Sequence, residues 1–447
     1  MRNDTPCFVL LAADEGNLNI GDQAMYVNVC RRLKRHFPKC RIVAVGRQLG
    51  RSVDVAGVDR VAYGHEHFSS AGGRMMRWVE RLPKGVRLAS LIRYWFFLCC
   101  ARTRGKWYHR LLWNRDCRDA VEMLASADLV LSCGGGYLTS LWWREVLWVK
   151  CALYCAASIL GKPVVLSGQG IGPVTARLDR WVLKMGLCSA DFVGLREEGE
   201  AGRYLAALGI PEDKFAVTGD DAVDLPTCGQ GRLSEILEAE GIDLDRPVLV
   251  ANFRSTAYSH RYVGGQYQRF GAVLDQLVEK HRCQIVFVPF CYDEDGRADD
   301  RTAAFDVTKH MRNRNATRIV MGRYTPEEIK GLVSIGEIAV GVSYHFAVFS
   351  LTQGIPCLTL FDNEYYRMKF TGLYGHFGCR PWHFAMDDAG VDALLTEVDT
   401  VLCRHAQEKS DLLGCTCAMV QRVDSVYDRI EALLSRKESR PKCAPPL

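Results

Sequence analysis

The chain has 447 residues, of which 48% are hydrophobic and 24% charged, and a net charge of +5. That length exceeds what one hydrophobic core organises and the apolar share can fill two, so two domains are expected and wholesale disorder is excluded. The longest apolar stretch, Tyr94 to Ala101, falls far short of the roughly 20 residues a membrane-spanning helix needs.

The first residues read as a strand rather than a signal peptide, which points to a cytoplasmic protein. Nineteen cysteines would suit a disulfide scaffold, but they lie among apolar neighbours without a C-x-x-C pair, so reduced thiols are expected. An apolar run over 7–13, a polar glycine loop, a helical pattern over 24–37 closed by Pro38 and a strand over 41–46 open a parallel βαβ unit. Residues 71–118 carry ten Arg and two Lys against Glu80 and Asp116, interleaved with six Trp or Phe residues. This segment reads first as a helical insertion packed on the domain; a peripheral contact with an anionic membrane face, reaching a lipid-linked acceptor, is its alternative. Nucleic acid suits it less, because aromatics at helical spacing favour packing over phosphate tracking.

Beyond the insertion, strands are predicted over 127–132, 163–167, 192–196 and 216–218, and helices over 146–159, 176–187 and 198–208, the last capped by Gly209. A polar stretch over 227–247 reads as the domain connection. The second half alternates strands over 248–253, 284–289, 318–321, 338–342 and 356–361 with helices over 266–280 and 346–353 and one opened by Thr325-Pro326-Glu327-Glu328, a capping box. The pattern predicts an α/β protein of two Rossmann-like doubly wound domains facing a cleft, a GT-B-like arrangement. Its expected parts are an N-terminal domain over 1–226, a C-terminal domain over 245–400, helices over 401–435 and a disordered tail over 436–447.

Ligands of such sheets collect at the carboxyl ends of the strands, and four loops place chemistry there. In the first, Gly21 allows close approach, Asp22 can cap the helix and Asn19 adds an orienting amide. In the second, Gly134-Gly135-Gly136 exposes N–H groups able to hold an anion, yet lacks a P-loop Lys and the dinucleotide fingerprint. The third surrounds Gln169 with glycines from Gly168 to Gly172; nearby Arg196 offers a planar fork to phosphate or carboxylate, though a salt bridge to Glu197 or Glu200 would explain it equally. The fourth, Gly341 to His345, puts an imidazole at the sheet's mouth, with Asp362 to Lys369 adding polar groups at the same edge.

The ordered set Asn19-x-Gly21-Asp22, Gly134 to Gly136, Gly168 to Pro173, Arg196, Asp221, His345, Gly354-Ile355-Pro356 and Lys369 resembles the polysaccharide pyruvyl transferase family. The resemblance implies transfer of the enolpyruvyl unit of phosphoenolpyruvate onto two sugar hydroxyls, giving a cyclic ketal and phosphate, with no metal or nicotinamide cofactor. It implies Arg196 as the donor's anchor with Arg254 and Lys369 beside it, the triple glycine and Ser343 on the donor, His345 as proton donor or relay, and Asn19, Asp22, Gln169 and Tyr344 on a sugar or lipid-linked oligosaccharide acceptor. Asp22 joins His345 and Arg196 as a catalytic candidate. Many members carry Arg two positions before the histidine; here that position is Ser343, so either another cation substitutes or the donor differs. The alternatives are a GT-B glycosyltransferase using a nucleotide sugar and a non-catalytic glycan-binding or assembly protein.

Overall fold

The computed structural model describes residues 7–13, 19–45, 55–61, 115–140, 144–254, 265–293 and 299–438. The insertion expected over 71–118 lies outside them, save its last four residues at the head of a helix.

The first half contains β1 (Phe8–Ala12), α1 (Ile20–His36), β2 (Arg41–Val45), β3 (Val58–Val61), α2 (Arg115–Ser126), β4 (Leu129–Ser132), β5 (Gly135–Leu138), α3 (Arg144–Ile159), β6 (Val164–Ile171), α4 (Arg177–Cys188), β7 (Phe192–Leu195), α5 (Glu200–Ala207) and β8 (Phe215–Val217). After α6 (Gln230–Glu240) come β9 (Val248–Asn252), α7 (Gln266–His281), β10 (Gln284–Phe287), α8 (Asp300–Lys309), β11 (Thr317–Ile319), α9 (Pro326–Val333), β12 (Ile338–Gly341), α10 (Tyr344–Leu351), β13 (Cys357–Phe361), α11 (Glu364–Gly375), β14 (His383–Ala385), α12 (Asp388–Cys403) and α13 (His405–Glu438).

Among the described residues the strands form two sheets, ordered β3-β2-β1-β4-β6-β7-β8 with β5 beside β6, and β11-β10-β9-β12-β13-β14. Their pairings are parallel. Apolar runs such as Val248 to Ala251 are buried along their whole length, as sheets covered on both faces require. In each sheet the strand order reverses beside the first strand, at β1/β4 and at β9/β12, which is where open α/β sheets leave a crevice.

One apolar core runs across both halves, joining α1 residues such as Met25 and Tyr26 to Phe346 and Phe349 of α10. The start of α1 is tied to the second sheet: Ile20 N–H donates to the Phe290 carbonyl at 2.9 Å, and Asn19 forms a bridge with Cys291. α13 returns to the first half, where Asp424 pairs with the buried Arg32, the Tyr427 ring stacks on His36 at 5.0 Å and Met419 packs over Gly219. The halves are therefore clasped at both ends of α1.

Several elements differ from expectation. Helix α6 lies within the polar stretch expected as the domain connection, α11 carries the polar groups expected only at the sheet edge, and α8 falls where no element is predicted. The glycine segment after residue 167 is not a loop: β6 continues through Ile171 with a register shift between Leu166 and Gln169, and Gly168 takes φ +55°, a conformation that L side chains rarely adopt. Gly135 likewise opens β5 rather than a free loop. The C-terminal helix continues through Glu438, past the expected start of the tail at 436; residues 439–447 lie outside those described.

Candidate active site

The carboxyl edges of the two sheets meet where α1 begins. Gly21 sits so close to the imidazole of His345 that a Cβ at this position would fall 1.9 Å from Nδ1, so the residue must be glycine for the second sheet's histidine to lie against the first helix. Asn19, not Asp22, is the N-cap: its side-chain oxygen accepts from the Gly21 N–H at 2.9 Å. Asp22 lies in the first turn, where its charge favours the helix dipole.

His345 follows β12 on the opening turn of α10, and its Nε2 stands 3.4 Å from Oδ2 of Asp220, just past β8. The same oxygen lies 3.9 Å from the guanidinium of Arg196, at the end of β7. Thus Arg196 and His345, contributed by different halves, converge on one carboxylate oxygen. Burial alone would raise the Asp220 carboxyl, but the His345 imidazole and the Arg196 guanidinium outweigh it and hold it below its ordinary value, so it is ionised at neutral pH.

Arg196 is 1% exposed and pairs with Glu197 at 2.6 Å. Burial opposes its charge, but Glu197, Tyr344 and Asp220 raise its pKa further, so the guanidinium stays charged in a closed environment. It also stacks over the Tyr344 ring at 4.3 Å, while the Lys369 ammonium lies 4.8 Å from the same ring and 5.0 Å from Tyr365. Lys369 has no acidic partner among the described residues. Burial, then the charge of Arg196 with a further contribution from Arg254, brings its amine down to about 8. The two cations border a cleft that also includes Gly170, Gly172, Glu197 and Tyr365. Glycine is needed at 170, where a Cβ would lie 2.7 Å from Arg196 Nη2; at Gly136 a Cβ would stand at ordinary contact distance, 3.5 Å from Arg196 and 3.6 Å from Lys369, so the strand runs beside both cations. His345, 7% exposed, does not line this cleft and reaches Arg196 through Asp220.

The triple glycine needs correction as an anion cradle. The Gly134 N–H donates to Asp221 Oδ2 at 2.8 Å, and Gly135 pairs opposite Gln169 in the sheet, so only Gly136 faces the cations. Gln169 is fully buried, its amide donating to the Cys133 and Ser167 carbonyls; it braces β6 instead of reaching an acceptor. The Tyr344 ring is a platform for the two cations. Ser343 holds the N-cap position of α10 without a side-chain cap bond. Arg254, just beyond β9, lies 3.9 Å from Asp300.

Sequence reading missed Asp220 and the support behind Arg196. The signal for the first is Gly219-Asp220-Asp221 immediately after a strand, an acidic pair that solvation alone would not bury. Asp221 accepts from Ser167 as well as Gly134, and burial, with the charge of Asp220, raises its carboxyl to about 6. Behind Arg196, His376 Nε2 donates to the Arg196 carbonyl at 2.8 Å while its Nδ1 accepts from Arg422 of α13 at 2.9 Å. Nothing short of the tertiary fold brings residues 196, 376 and 422 together.

Residues 19–365 match the description polysaccharide pyruvyl transferase, most of the chain and all four strand-end loops. The chain belongs to the polysaccharide pyruvyl transferase family. Among relatives of this pyruvyl transferase family member, amylovoran biosynthesis protein AmsJ of Erwinia amylovora is 22% identical over 253 residues, covering 54% of this chain and 58% of that protein. The match therefore spans little more than half of that relative. Among solved structures, Anabaena HepE in complex with UDP and glucose gives a TM-score of 0.55 at 12% identity, covering 96% of this chain and 100% of that one. Trehalose 6-phosphate synthase from Burkholderia multivorans gives 0.54 at 10%, covering 99% and 100%, and UDP-GlcNAc 2-epimerase from Methanocaldococcus jannaschii 0.52 at 13%, covering 89% and 93%. These likenesses establish the two-domain Rossmann-like, GT-B-type fold and nothing finer. Among the described residues no helix is long and apolar enough to cross a membrane, and no cluster of His, Cys, Asp or Glu could hold a metal ion.

Proposed function

We propose that this family member transfers the enolpyruvyl unit of phosphoenolpyruvate to two hydroxyls of a sugar, forming a pyruvate ketal during polysaccharide assembly. The observation that carries this reading is the convergence of Arg196 and His345 on Asp220 Oδ2. Phosphoenolpyruvate brings a phosphate and a carboxylate into one small molecule, and the cleft offers Arg196 and Lys369 with Arg254 behind them. Lys369, one of the residues shared with the family, gives the donor a second cationic grip beside Arg196 even though position 343 carries no charge.

The reaction needs a proton on the donor's methylene carbon as a sugar oxygen bonds to the adjacent carbon. His345 delivers that proton, and Asp220 orients the imidazole and balances its charge. The carbon–oxygen bond to phosphate then breaks, inorganic phosphate leaves with one hydroxyl proton, and the second hydroxyl closes the ketal, its proton returning to the imidazole. The charged Arg196 stabilises the departing phosphate in a closed site, where such interactions are stronger than in water. The relative AmsJ carries the name of amylovoran biosynthesis, which accords with an acceptor belonging to a growing polysaccharide.

The test mixes purified protein with phosphoenolpyruvate and candidate sugar diols and follows both phosphate release and the ketal methyl group by NMR. Expected are both products and a rise in melting temperature with phosphoenolpyruvate alone. Stabilisation by UDP or GDP with no response to phosphoenolpyruvate would instead establish a nucleotide-sugar enzyme.

A further inference from the structure

Helix α4 buries Asp179, Leu183, Gly186 and Leu187 against the first domain and leaves its opposite face in solvent. Three of the largest exposed apolar side chains among the described residues lie on that face: Leu178 at 50%, Trp181 at 59% and Met185 at 45% exposure. Their spacing, three then four, places them on one line along the helix. Arg177, Arg180 and Lys184 repeat that spacing one position before and form a parallel exposed line beside it. None of these three cations has an acidic partner among the described residues, and the helix's sole acid, Asp179, is buried and accepts from Trp148 Nε1 at 2.8 Å.

We propose that this face of α4 docks on an anionic lipid surface. An ordinary solvated helix face mixes charges of both signs and exposes large apolar groups singly. Here an unbroken apolar line runs beside an unbroken cationic one with no negative charge between them. That division suits a helix lying in the plane of a bilayer, its Trp, Leu and Met sunk to the acyl boundary and its Arg and Lys among anionic headgroups. A protein partner matching the apolar line would leave three cations without complement; an anionic bilayer serves both lines at once. The placement is also apt: α4 begins four residues after Pro173, which borders the cleft beside Arg196, so docking would bring the cleft's rim near the membrane plane. The inference rests on the surface of α4 and not on the reaction proposed above.

The experiment is co-sedimentation of the full chain with vesicles of phosphatidylglycerol and phosphatidylcholine mixed, and of phosphatidylcholine alone. Expected are binding to the anionic vesicles that weakens with salt, and a loss on the order of tenfold in partitioning for the exposed double substitution Trp181→Ser with Met185→Ser, with unchanged melting temperature. Arg180→Glu with Lys184→Glu should weaken binding to the anionic vesicles alone. Equal partitioning of wild type and both variants, no vesicle binding by the wild type, or a concentration-dependent dimer that the Trp181 variant dissolves in the absence of lipid binding would each overturn the proposal.

Discussion

The two halves close their switch points with the same device and put it to different ends. In the second half Asp300 accepts from the Phe290 and Cys291 N–H groups and from the Asn252 amide, tying β9 to β10; burial lifts its carboxyl to about 6 despite Arg254 nearby. In the first half Asp221 does the equivalent with Gly134 and Ser167, and its carboxyl also lies at about 6. Each staple has a second buried acid just before it, and the difference is what that acid faces. In the second half Asp299 caps its own helix and Arg301 of the same helix holds its carboxyl below the ordinary value against burial. In the first half Asp220 is held low by His345 and Arg196, which come from different halves. An acid paired within one helix anchors that helix; an acid facing an imidazole and a guanidinium orders both.

The strongest way to break this distinction is to remove the cation that faces Asp220. Arg196→Ala is expected to lower kcat/KM for phosphoenolpyruvate by about a thousandfold and, by leaving Glu197 without its partner and Asp220 with His345 alone, to cost on the order of 3–5 kcal/mol in thermal denaturation. Arg196→Lys should keep most of the stability and little of the rate, because an ammonium cannot reproduce the planar fork. Next in size is Gly21→Ala. Its methyl group cannot coexist with the present His345 ring, and the displaced imidazole should cost roughly a hundredfold in kcat with the fold retained, read by steady-state kinetics beside circular dichroism.

How far the sequence carried this picture differs between the two edges. Alternating apolar runs announced both sheets, since buried parallel strands leave a plain signal, and the capping box at Thr325 and Glu328 appears as read. Glycine was the weaker guide. It marked the right places at residues 134–136 and 168–172, but composition alone cannot separate a glycine that frees N–H groups for a ligand from one that lets Arg196 and Lys369 approach a strand. Arg196 and His345 were placed at strand ends by the sequence and do meet at Asp220, although the salt bridge to Glu197 that would explain Arg196 equally also forms; Lys369, expected only as a polar group at the edge, lies within α11. Asp220 was not legible, because its meaning comes from partners 24 and 125 positions away, a relation no local pattern contains.

Lys369 gives the comparison a pH axis. With its amine at about 8, the ammonium is lost as pH rises through that value, so donor KM should climb above pH 8 and Lys369→Met should show a KM roughly tenfold higher with that climb removed. The two staples make a matched stability test. A carboxyl that titrates near 3.8 in the unfolded chain and at about 6 when folded holds its proton more tightly in the fold. Its contribution is complete below about pH 4 and is lost as pH rises through about 6. Asp221→Asn and Asp300→Asn should each flatten that decline, by on the order of 3 kcal/mol, in denaturant titrations at pH 4 and pH 7. A flattening at Asp300 alone would mean that Asp220, not Asp221, takes up the proton in the first half.

The smallest expected effect concerns the support behind Arg196. His376 donates to the Arg196 carbonyl and is held in turn by Arg422 of α13, so the C-terminal helix reaches Arg196 through one imidazole. His376→Leu leaves the buried carbonyl without a donor and should raise donor KM about five- to tenfold, while kcat changes less because His345 and Asp220 are untouched. His376→Gln restores an N–H at a similar reach and should recover most of the loss. If the two variants behaved alike, the histidine would be packing material only, and Arg196 would owe its position to Glu197 and the Tyr344 ring.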